Sequence, residues 1–535
     1  MQAFGFDFAQ TGALSPLMLD YLQDDSRLQA FHSGLPSQQK LVEQAQQKQK
    51  HYPSSHRKVL TSVLQKQYAG LDVHPKVSEN IDKLKDPATL TLCTGHQLSL
   101  MTGPLYFIYK ILTIIKLADE LNAQPTGFQY VPVFWMASED HDFEEISAFQ
   151  SQGKKFQWNQ DQGGAVGKIP LEELQKVLDL WEKEGLTGPY ASTIQDWVEK
   201  SYRQANTLAE ATFVLVHQIF QAYGLVILDA DNAALKQLFV PYMQQELEQQ
   251  TTFESVGSQI QALKENYNES FKPQVNPRPI NLFYLEAGSR KRIVTTENGL
   301  ALEDHQLDRS LDEWVAAIAQ TPEQFSPNVL MRPLYQECIL PNVAYVGGGG
   351  ELAYWLQLQS SFTAFKMPFP LLLLRQSALL FTSKSHRKWQ RLGLELKDVF
   401  LQRNALINKK IRLISNIDLD FDPLKSVLEE QFTYLESLVA QTDASFEGVL
   451  MAQKRKQIKG LEHLEKRLLQ AQRKKLKDHV SRLVLAHESF FPGEKLQERT
   501  LNFMDFYGVE GVALLDFLYQ NFTPLTPKMI AVELS

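Results

Sequence analysis

The sequence predicts an α/β protein: a parallel-sheet core with helical connections, interrupted by insertions and followed by a long helical arm. Three observations carry this expectation. Short apolar runs repeatedly empty into polar or glycine-bearing loops and lead on into segments with helical spacing, the pattern that builds parallel sheets. A stretch after about residue 400 nearly lacks proline and keeps an apolar stripe at near-heptad spacing. The chain is 44% hydrophobic and 22% charged over 535 residues, enough for a sizeable core and about three structural units. That composition excludes disordered, collagen-like and disulfide-framework proteins.

The first strand, loop and helix run from Leu90 to Leu121. Leu90 to Cys93 is a short apolar run, Gly95 and Gly103 mark the loop, and Leu105, Ile108, Leu112 and Ile115 recur at helical spacing. Pro104 stands where a first-turn proline belongs, with Thr102 as the expected cap. A second unit begins at Tyr130 to Met136 and empties into Ser138-Glu-Asp-His-Asp-Phe-Glu-Glu145. A third is Leu225 to Leu228, followed by Asp229-Ala-Asp231 and another helix. Ligands of such sheets bind beyond the carboxyl ends of the strands, which directs attention to these loops.

The core is expected over residues 1–400, with insertions near 150–215 and 250–300. The first is glycine-rich at Gly163-Gly164, and the second contains Asn281 to Val294, an expected hairpin turning at Gly288. Residues 401–490 form the expected arm, in which Ile458, Leu461, Leu464, Leu468 and Ala471, then Leu476, Val480 and Leu483, make a stripe with one slip. Residues 491–535 close the arm and return to a final apolar helix near Val512 to Tyr519.

Lys plus Arg number 54 against 62 for Asp plus Glu, and the net charge of −8 gives no general pull toward nucleic acid. Between Lys454 and Arg482, eleven basic residues face three acids, which reads as a solvated helix face or a surface for the same helix of a second subunit. The most apolar windows, Tyr106 to Ala118 and Met367 to Leu374, are interrupted by charges or prolines and fall short of the roughly 18 residues of a membrane helix. The first basic residue is Arg27, so no signal peptide is expected. Only Cys93 and Cys338 occur, which fits a reducing compartment, the cytoplasm.

Three constellations can carry chemistry. Thr94-Gly-His-Gln97 with Thr102-Gly103-Pro104 and Lys110 is a strand-to-helix loop whose amides could converge on an anion, or a structural turn. Glu139-Asp-His-Asp142 with Glu144 and Glu145 puts five acids and one His within seven residues, a density that needs a cation, an ammonium, a metal or helix amides to offset it. His141 and Glu145, at i and i+4, also fit a metal pair, and Cys93, His96, Cys338 and His141 could together hold Zn²⁺. Arg332-Pro-Leu-Tyr-Gln336 precedes Gly347-Gly-Gly-Gly350-Glu351, four glycines that allow close backbone approach of a ligand, with Glu351 suited to a ribose hydroxyl or an amine.

Thr94-Gly-His-Gln97, Thr102-Gly-Pro-Leu-Tyr106, Val133 to Ile146, Tyr345 to Glu351 and Leu496-Gln-Glu-Arg499 together resemble the cysteine ligase of bacillithiol biosynthesis, the BshC family, over nearly the full chain. The resemblance implies a Rossmann-like core related to class I aminoacyl-tRNA synthetases, an α-helical coiled coil, and a homodimer through the arm. It further implies that cysteine and glucosaminyl malate are joined by an amide bond, with ATP and Mg²⁺ activating the cysteine carboxylate as an adenylate. The chain departs from the family pattern at His96 and Gly349, where Gln and Pro are frequent, and Thr382-Ser-Lys-Ser385 is only an echo of the synthetase K-M-S-K-S signature.

On that reading Thr94, Gly95, Thr102 and Gly103, helped by His96 and Lys110, hold phosphate charge, while Gly347, Gly348, Gly349, Gly350, Glu351 and Tyr354 hold adenosine. Gln97, Trp135, Glu139, Asp140 and Gln336 contact substrate, the acids taking an ammonium, and Arg332 takes a carboxylate. His141 or Asp142 takes the amine proton. The alternatives are a noncatalytic nucleotide-binding scaffold that recruits the true ligase, and a metal-dependent amide hydrolase using His141 and Glu145.

Overall fold

The computed structural model describes residues 1–160, 163–297, 299–304, 307–443 and 445–535. The chain divides into two compact units. The first comprises Met1–Ala9, Ala13–Leu379 and Gln497–Val532, and the second Gln10–Gly12, Leu380–Leu496 and Glu533–Ser535.

The first unit is built on five parallel strands: β1 (Thr89–His96), β2 (Gln129–Met136), β3 (Val226–Asp229), β4 (Asn342–Gly347) and β5 (Leu371–Leu374). They lie in the order β5-β4-β1-β2-β3. Each is buried on both faces, which is why its sequence reads as a continuous apolar run and not as an alternation. β1 extends three residues beyond its apolar run because Thr94, Gly95 and His96 stay in register with Phe134, Trp135 and Met136 of β2. The chain steps outward from β1 to β2 and β3, then returns to lay β4 and β5 on the other side of β1. The strand order therefore reverses between β1 and β4, and the crevice outside their carboxyl ends is where such sheets take ligands.

The helix Tyr106–Asn122 follows β1 and is buried almost all round, with Phe107, Ile108, Ile111, Leu112, Ile114, Ile115 and Leu121 all at 1% exposure or less. A helix apolar on every side belongs inside the core. It packs on the sheet and on the final helix, Val512–Asn521. Its start differs from the expectation that Thr102 caps it. No side chain caps this helix, and Met101, Thr102 and Gly103 instead take left-handed φ values of 54°, 68° and 63°. Two distant residues hold that loop. Asn502 Nδ2 donates to the carbonyls of Met101 (2.8 Å) and Gly103 (3.0 Å), and the Tyr202 hydroxyl accepts from the Met101 amide at 3.0 Å. Gly103 also has no room for a side chain, since a Cβ would sit 2.5 Å from that of Ser99.

Between β2 and β3 lie the hairpin Ala148–Ser151 and Lys154–Gln157 and the longer helices Leu174–Glu184, Ala191–Lys200 and Leu208–Phe220. Between β3 and β4 lies a five-stranded antiparallel sheet whose first two strands, Leu282–Glu286 and Ser289–Thr295, turn at Gly288 with φ 73°. The hairpin read from the sequence is thus present, with glycine at the left-handed turn position.

The second unit is helical. Asp422–Val439 packs along Ser445–Lys475, with Phe432 and Leu450 buried and Lys454 paired to Glu436 at 2.9 Å. The expected stripe is corrected at Leu464, which is 59% exposed. The neighbouring Glu465 turns inward instead, drawn to Arg412 and to Lys425 at 3.1 Å. The slip at Leu476 is a real break: that residue has φ −102° and ψ 27°, and a new helix, Lys477–Glu488, starts after it. Among the described residues no helix is long and apolar enough to cross a membrane.

One buried ion pair ties the N-terminal helix Gln38–His51 to the core. Lys48 and Glu337, both at most 2% exposed, meet at 2.7 Å, and Glu337 also accepts from Asn342 Nδ2 at 2.6 Å. Burial pushes the Glu337 carboxyl up, and Lys48 opposes that shift. Replacing Lys48 by Met strands a buried carboxylate and is expected to cost about 3 kcal/mol. The check is a lower urea midpoint for unfolding of the first unit.

Candidate active site

A cavity of about 410 Å³ opens at the carboxyl ends of β1, β2 and β4. One wall comes from the core: Gly95, His96 and Gln97 at the end of β1, Trp135 to Ala137 and Glu139 to His141 at the end of β2, and Tyr345, Tyr354 and Arg332 around β4. The facing wall comes from the second insertion and the segment after it, where Phe283, Arg290 and Arg292 on the hairpin join Arg278, Asn281 and Asn328.

Arg332 opens the helix Arg332–Ile339 and lies between Trp135 and Tyr345, its guanidinium carbon 5.9 and 5.7 Å from their ring centroids. It donates to Gln336 Oε1 at 3.1 Å and reaches the Tyr354 hydroxyl at 3.5 Å. Among the described residues it forms no salt bridge, and its hydrogen-bond partners are an amide oxygen and a hydroxyl. Gln336 does not touch the cavity. Its amide is held with nitrogen toward Glu337 (3.2 Å), which leaves the oxygen for Arg332. Gln336 therefore positions Arg332 without neutralising it.

The acidic loop is balanced from within. Glu139 is buried against Lys236, whose ammonium also bonds Asp231 at 2.8 Å. Burial pushes the Glu139 carboxyl up, and Lys236 counters it. Asp140 accepts from the Gln97 side chain and from the His141 amide at 2.7 Å. Burial acts to raise its pKa, but hydrogen bonds from His141 and Gln97 and the charge of Arg290 hold the carboxyl well below the usual range. This corrects the expectation that these acids await an ammonium: each already has its cation. Asp142 is not on the cavity. Its carboxylate caps the short helix Phe143–Ile146 by accepting from the Glu145 amide at 3.2 Å.

Arg290 is the contributor that reading the sequence missed. Its Nη1 donates to His141 Nδ1 at 2.9 Å, and Nη2 reaches Ser326 Oγ (3.3 Å) and the Pro327 carbonyl (3.2 Å). The guanidinium lies 3.8 Å over the Phe283 ring. Nδ1 of His141 thus lies between Arg290 Nη1, which can only donate, and Asp140 Oδ1 at 3.2 Å, which can only accept, so the ring is held from both sides at this nitrogen while Nε2 makes no hydrogen bond among the described residues. A signal was available: Arg290 and Arg292, two apart in a strand, face the same side.

His96 has a tautomer fixed by a backbone carbonyl. Its Nδ1 donates to the Gln97 carbonyl at 2.8 Å, so Nε2 is free to accept. Burial first, and then the Lys110 charge, lower its pKa to about 4, so it is neutral at neutral pH.

Lys110 and the glycine tract take structural places. The Lys110 ammonium is buried and bonds the Gly95 carbonyl and both Glu351 oxygens (2.8 and 2.9 Å). Glu351 also accepts from the Gly348 amide (2.8 Å) and the Tyr345 hydroxyl (2.9 Å). Burial acts to raise its pKa, yet Lys110 and these bonds hold it down at about 2. Lys110 and Glu351 thus satisfy each other and leave nothing over for phosphate or ribose. None of the four glycines has a left-handed φ. A Cβ on Gly347 would meet Leu352 at 3.0 Å and one on Gly349 would meet Leu14 at 3.1 Å, so packing explains these two; Gly348 and Gly350 have nothing closer than 3.5 Å. Thr94 Oγ1 donates to the Val346 carbonyl at 2.7 Å, tying β1 to β4. Of the expected nucleotide contacts only Gly95 and Tyr354 line the cavity.

Among the described residues no group of three or more His, Cys, Asp or Glu is arranged to hold a metal ion. Cys93 and Cys338 are buried thiols in separate elements. The cavity's unmatched charge is therefore positive: among the described residues Arg332 at its core wall and Arg278 toward the exposed side form no salt bridge, while Arg292 stands 4.0 Å from Glu303.

A family model described as the N-terminal Rossmann-like domain of bacillithiol biosynthesis BshC matches residues 1–376, and one described as the C-terminal coiled-coil domain matches residues 378–534. A protein of Flavobacterium johnsoniae named "Putative cysteine ligase BshC" is 43% identical and the match covers 97% of each chain. Proteins of the same name from Christiangramia forsetii and Cytophaga hutchinsonii are 42% and 35% identical, over 97% and 96% of this chain and 96% and 95% of theirs.

The His96 ring makes stability depend on pH. In the unfolded chain it titrates near 6.5 and in the folded protein at about 4, so between those values the unfolded state binds the extra proton. Its contribution is complete above pH 6.5 and is lost as pH falls toward 4. Urea unfolding across that window is expected to fall off more gently for His96→Gln than for the wild type.

Proposed function

Because the chain belongs to the bacillithiol biosynthesis BshC family, we propose that it is a carbon–nitrogen ligase joining cysteine to glucosaminyl malate, with ATP activating the cysteine carboxylate. The observation that carries this reading is the uncompensated Arg332 in a cavity at the strand-order reversal. Amide formation from a carboxylate needs a leaving group, and ATP would supply it. Arg332 would hold the reacting carboxylate, or the phosphate attached to it, between the faces of Trp135 and Tyr345. Arg278 and the hairpin's Arg292 would face the carboxylates of the malyl group, and Nε2 of His96 is the ring nitrogen left to accept from the incoming amine.

The experiment is mass spectrometry of purified protein with cysteine, glucosaminyl malate, ATP and Mg²⁺, with ATP-free and metal-stripped controls. Product is expected only with ATP, and release of AMP marks adenylate activation where ADP would mark an acyl phosphate. Arg332→Ala is expected to raise the KM of the carboxylate substrate about 100-fold, as loss of a charge-assisted contact of about 3 kcal/mol does. Gln336→Glu, which sets a carboxylate against Arg332 in the same volume, is expected to move KM the same way. Ligand binding without product in any condition would favour the scaffold reading instead.

We also propose a homodimer through the arm. Leu424, Val427 and Tyr434, each more than half exposed, recur at heptad spacing on Asp422–Val439 beside the seam to Ser445–Lys475. Val427→Glu combined with Tyr434→Glu is expected to halve the mass seen by analytical ultracentrifugation, and an unchanged mass would rule this surface out.

A further inference from the structure

The glycine-rich segment after residue 162 was noted in the sequence without a role. In the structure it runs between the two walls of the cavity. On one side the Val166 amide donates to the Asp140 carbonyl at 2.7 Å and the Gly167 amide to the Ser138 carbonyl at 2.9 Å, both in the acidic loop. On the other side it lies against the tip of the arginine hairpin. A Cβ on Gly164 would sit 2.9 Å from the Ser289 nitrogen and 3.0 Å from the Gly288 carbonyl carbon, and one on Gly163 would sit 3.0 Å from the Gly288 oxygen. A Cβ on Gly167 would lie 2.7 Å from that of Ser138. The end of the segment is anchored by Lys168, which pairs with the buried Asp231 at 3.0 Å.

These contacts bracket one interaction. His141 follows Asp140 in the acidic loop, Arg290 follows Ser289 at the hairpin tip, and the two side chains meet at 2.9 Å. The gap they span is set by the thickness of the strap between their backbones. We propose that Gly163, Gly164 and Gly167 are positioning residues: by keeping the strap free of side chains they let the hairpin approach the acidic loop closely enough for Arg290 to reach His141. The strap thereby sets the place of the hairpin arginines in the cavity and the distance from Arg290 to His141. This rests on the reading of the cavity as the active site.

The test compares three substitutions in the full chain. Gly164→Ala meets the hairpin backbone and Gly163→Ala meets it more mildly, at a position without left-handed φ. Gly153→Ala has the same left-handed cost, at φ 75°, but nothing lies within 4 Å of its Cβ. The readouts are the side-chain ¹⁵N shifts of His141, assigned with His141→Gln, and steady-state kinetics. Gly164→Ala is expected to shift the His141 ring ¹⁵N resonances, as Arg290 withdraws from Nδ1, and to raise the KM for glucosaminyl malate about tenfold while leaving that for cysteine unchanged, the scale on which a misplaced wall acts. Gly163→Ala is expected to shift both readouts in the same direction by less, and decides the matter if Gly164→Ala does not fold. Gly153→Ala is expected to match the wild type. An unaltered His141 signature in Gly164→Ala, or a Gly153→Ala that behaves like Gly164→Ala, overturns the proposal. Should the wild type turn over neither substrate, the proposed reaction falls, while the ¹⁵N comparison still judges the strap.

Discussion

A lysine buried in the apolar first turns of a core helix needs a counter-charge, and here the crevice is arranged to bring it one. Lys110 cannot be hydrated, so a carboxylate must be delivered to it from outside the helix. Glu351 arrives because β4 ends in glycine and turns directly into the next helix. Gly347 leaves no space for a side chain, and the Gly348 amide completes the carboxylate's shell. The third partner of Lys110, the Gly95 carbonyl, belongs to the end of β1. One ion pair thus joins the two strands that flank the order reversal. Tyr345 and Tyr354, on either side of the same glycine turn, come to stand against Arg332 as a consequence.

The charges of the site sort into two kinds, and the distinction is what gives the cavity its preference. Lys48 with Glu337, Lys110 with Glu351, Lys236 with Glu139 and Asp231, and Arg290 with Asp140 are matched inside the protein. Their field largely cancels and their work is geometric. Arg332 is different because its nearest oxygen is an uncharged amide, oriented by a carboxylate one residue further on. A glutamate at position 336 would set its own charge against the guanidinium. An amide instead fixes the guanidinium while leaving its charge to be met by a ligand.

The parallel core and the hairpin were legible because their signals are local: an apolar run, a glycine or acidic loop, then helical spacing. The loops named from the sequence do meet at one crevice, and Gly95, His96, Gln97, Trp135, Glu139, Asp140, His141, Arg332 and Tyr354 line one cavity. What was not legible is which charges are spent. The partners of Asp140 and Glu139 come from residues 290 and 236, far along the chain, so a dense acidic cluster read in isolation looks unbalanced. The same limit hid the role of Glu351, whose lysine lies 241 residues earlier. Thr102 failed as a cap for a related reason: the backbone it sits in is held by Asn502 and Tyr202, contacts that no local pattern announces. On the arm, Leu464 kept the heptad spacing but lost the inward place to Glu465, because the basic residues facing that turn favour a carboxylate over burial of a leucine.

The carboxyl edge of a five-stranded parallel sheet offers only turns, which suffice to hold one small charged group but not to enclose two reactants. The insertion after β3 makes up the difference by standing an arginine-bearing hairpin opposite those turns. A hairpin on a long connection would wander, however, and its guanidinium positions would be worth little to a reaction that depends on distance. The first insertion resolves this by sending a glycine strap between the acidic loop and the hairpin tip, with backbone bonds to the one and contact distances to the other. The two insertions, separated in sequence by β3, are therefore one device in space. On the proposed reading the core strands would hold the group to be activated, and the strapped hairpin would set how far away its reaction partner can be.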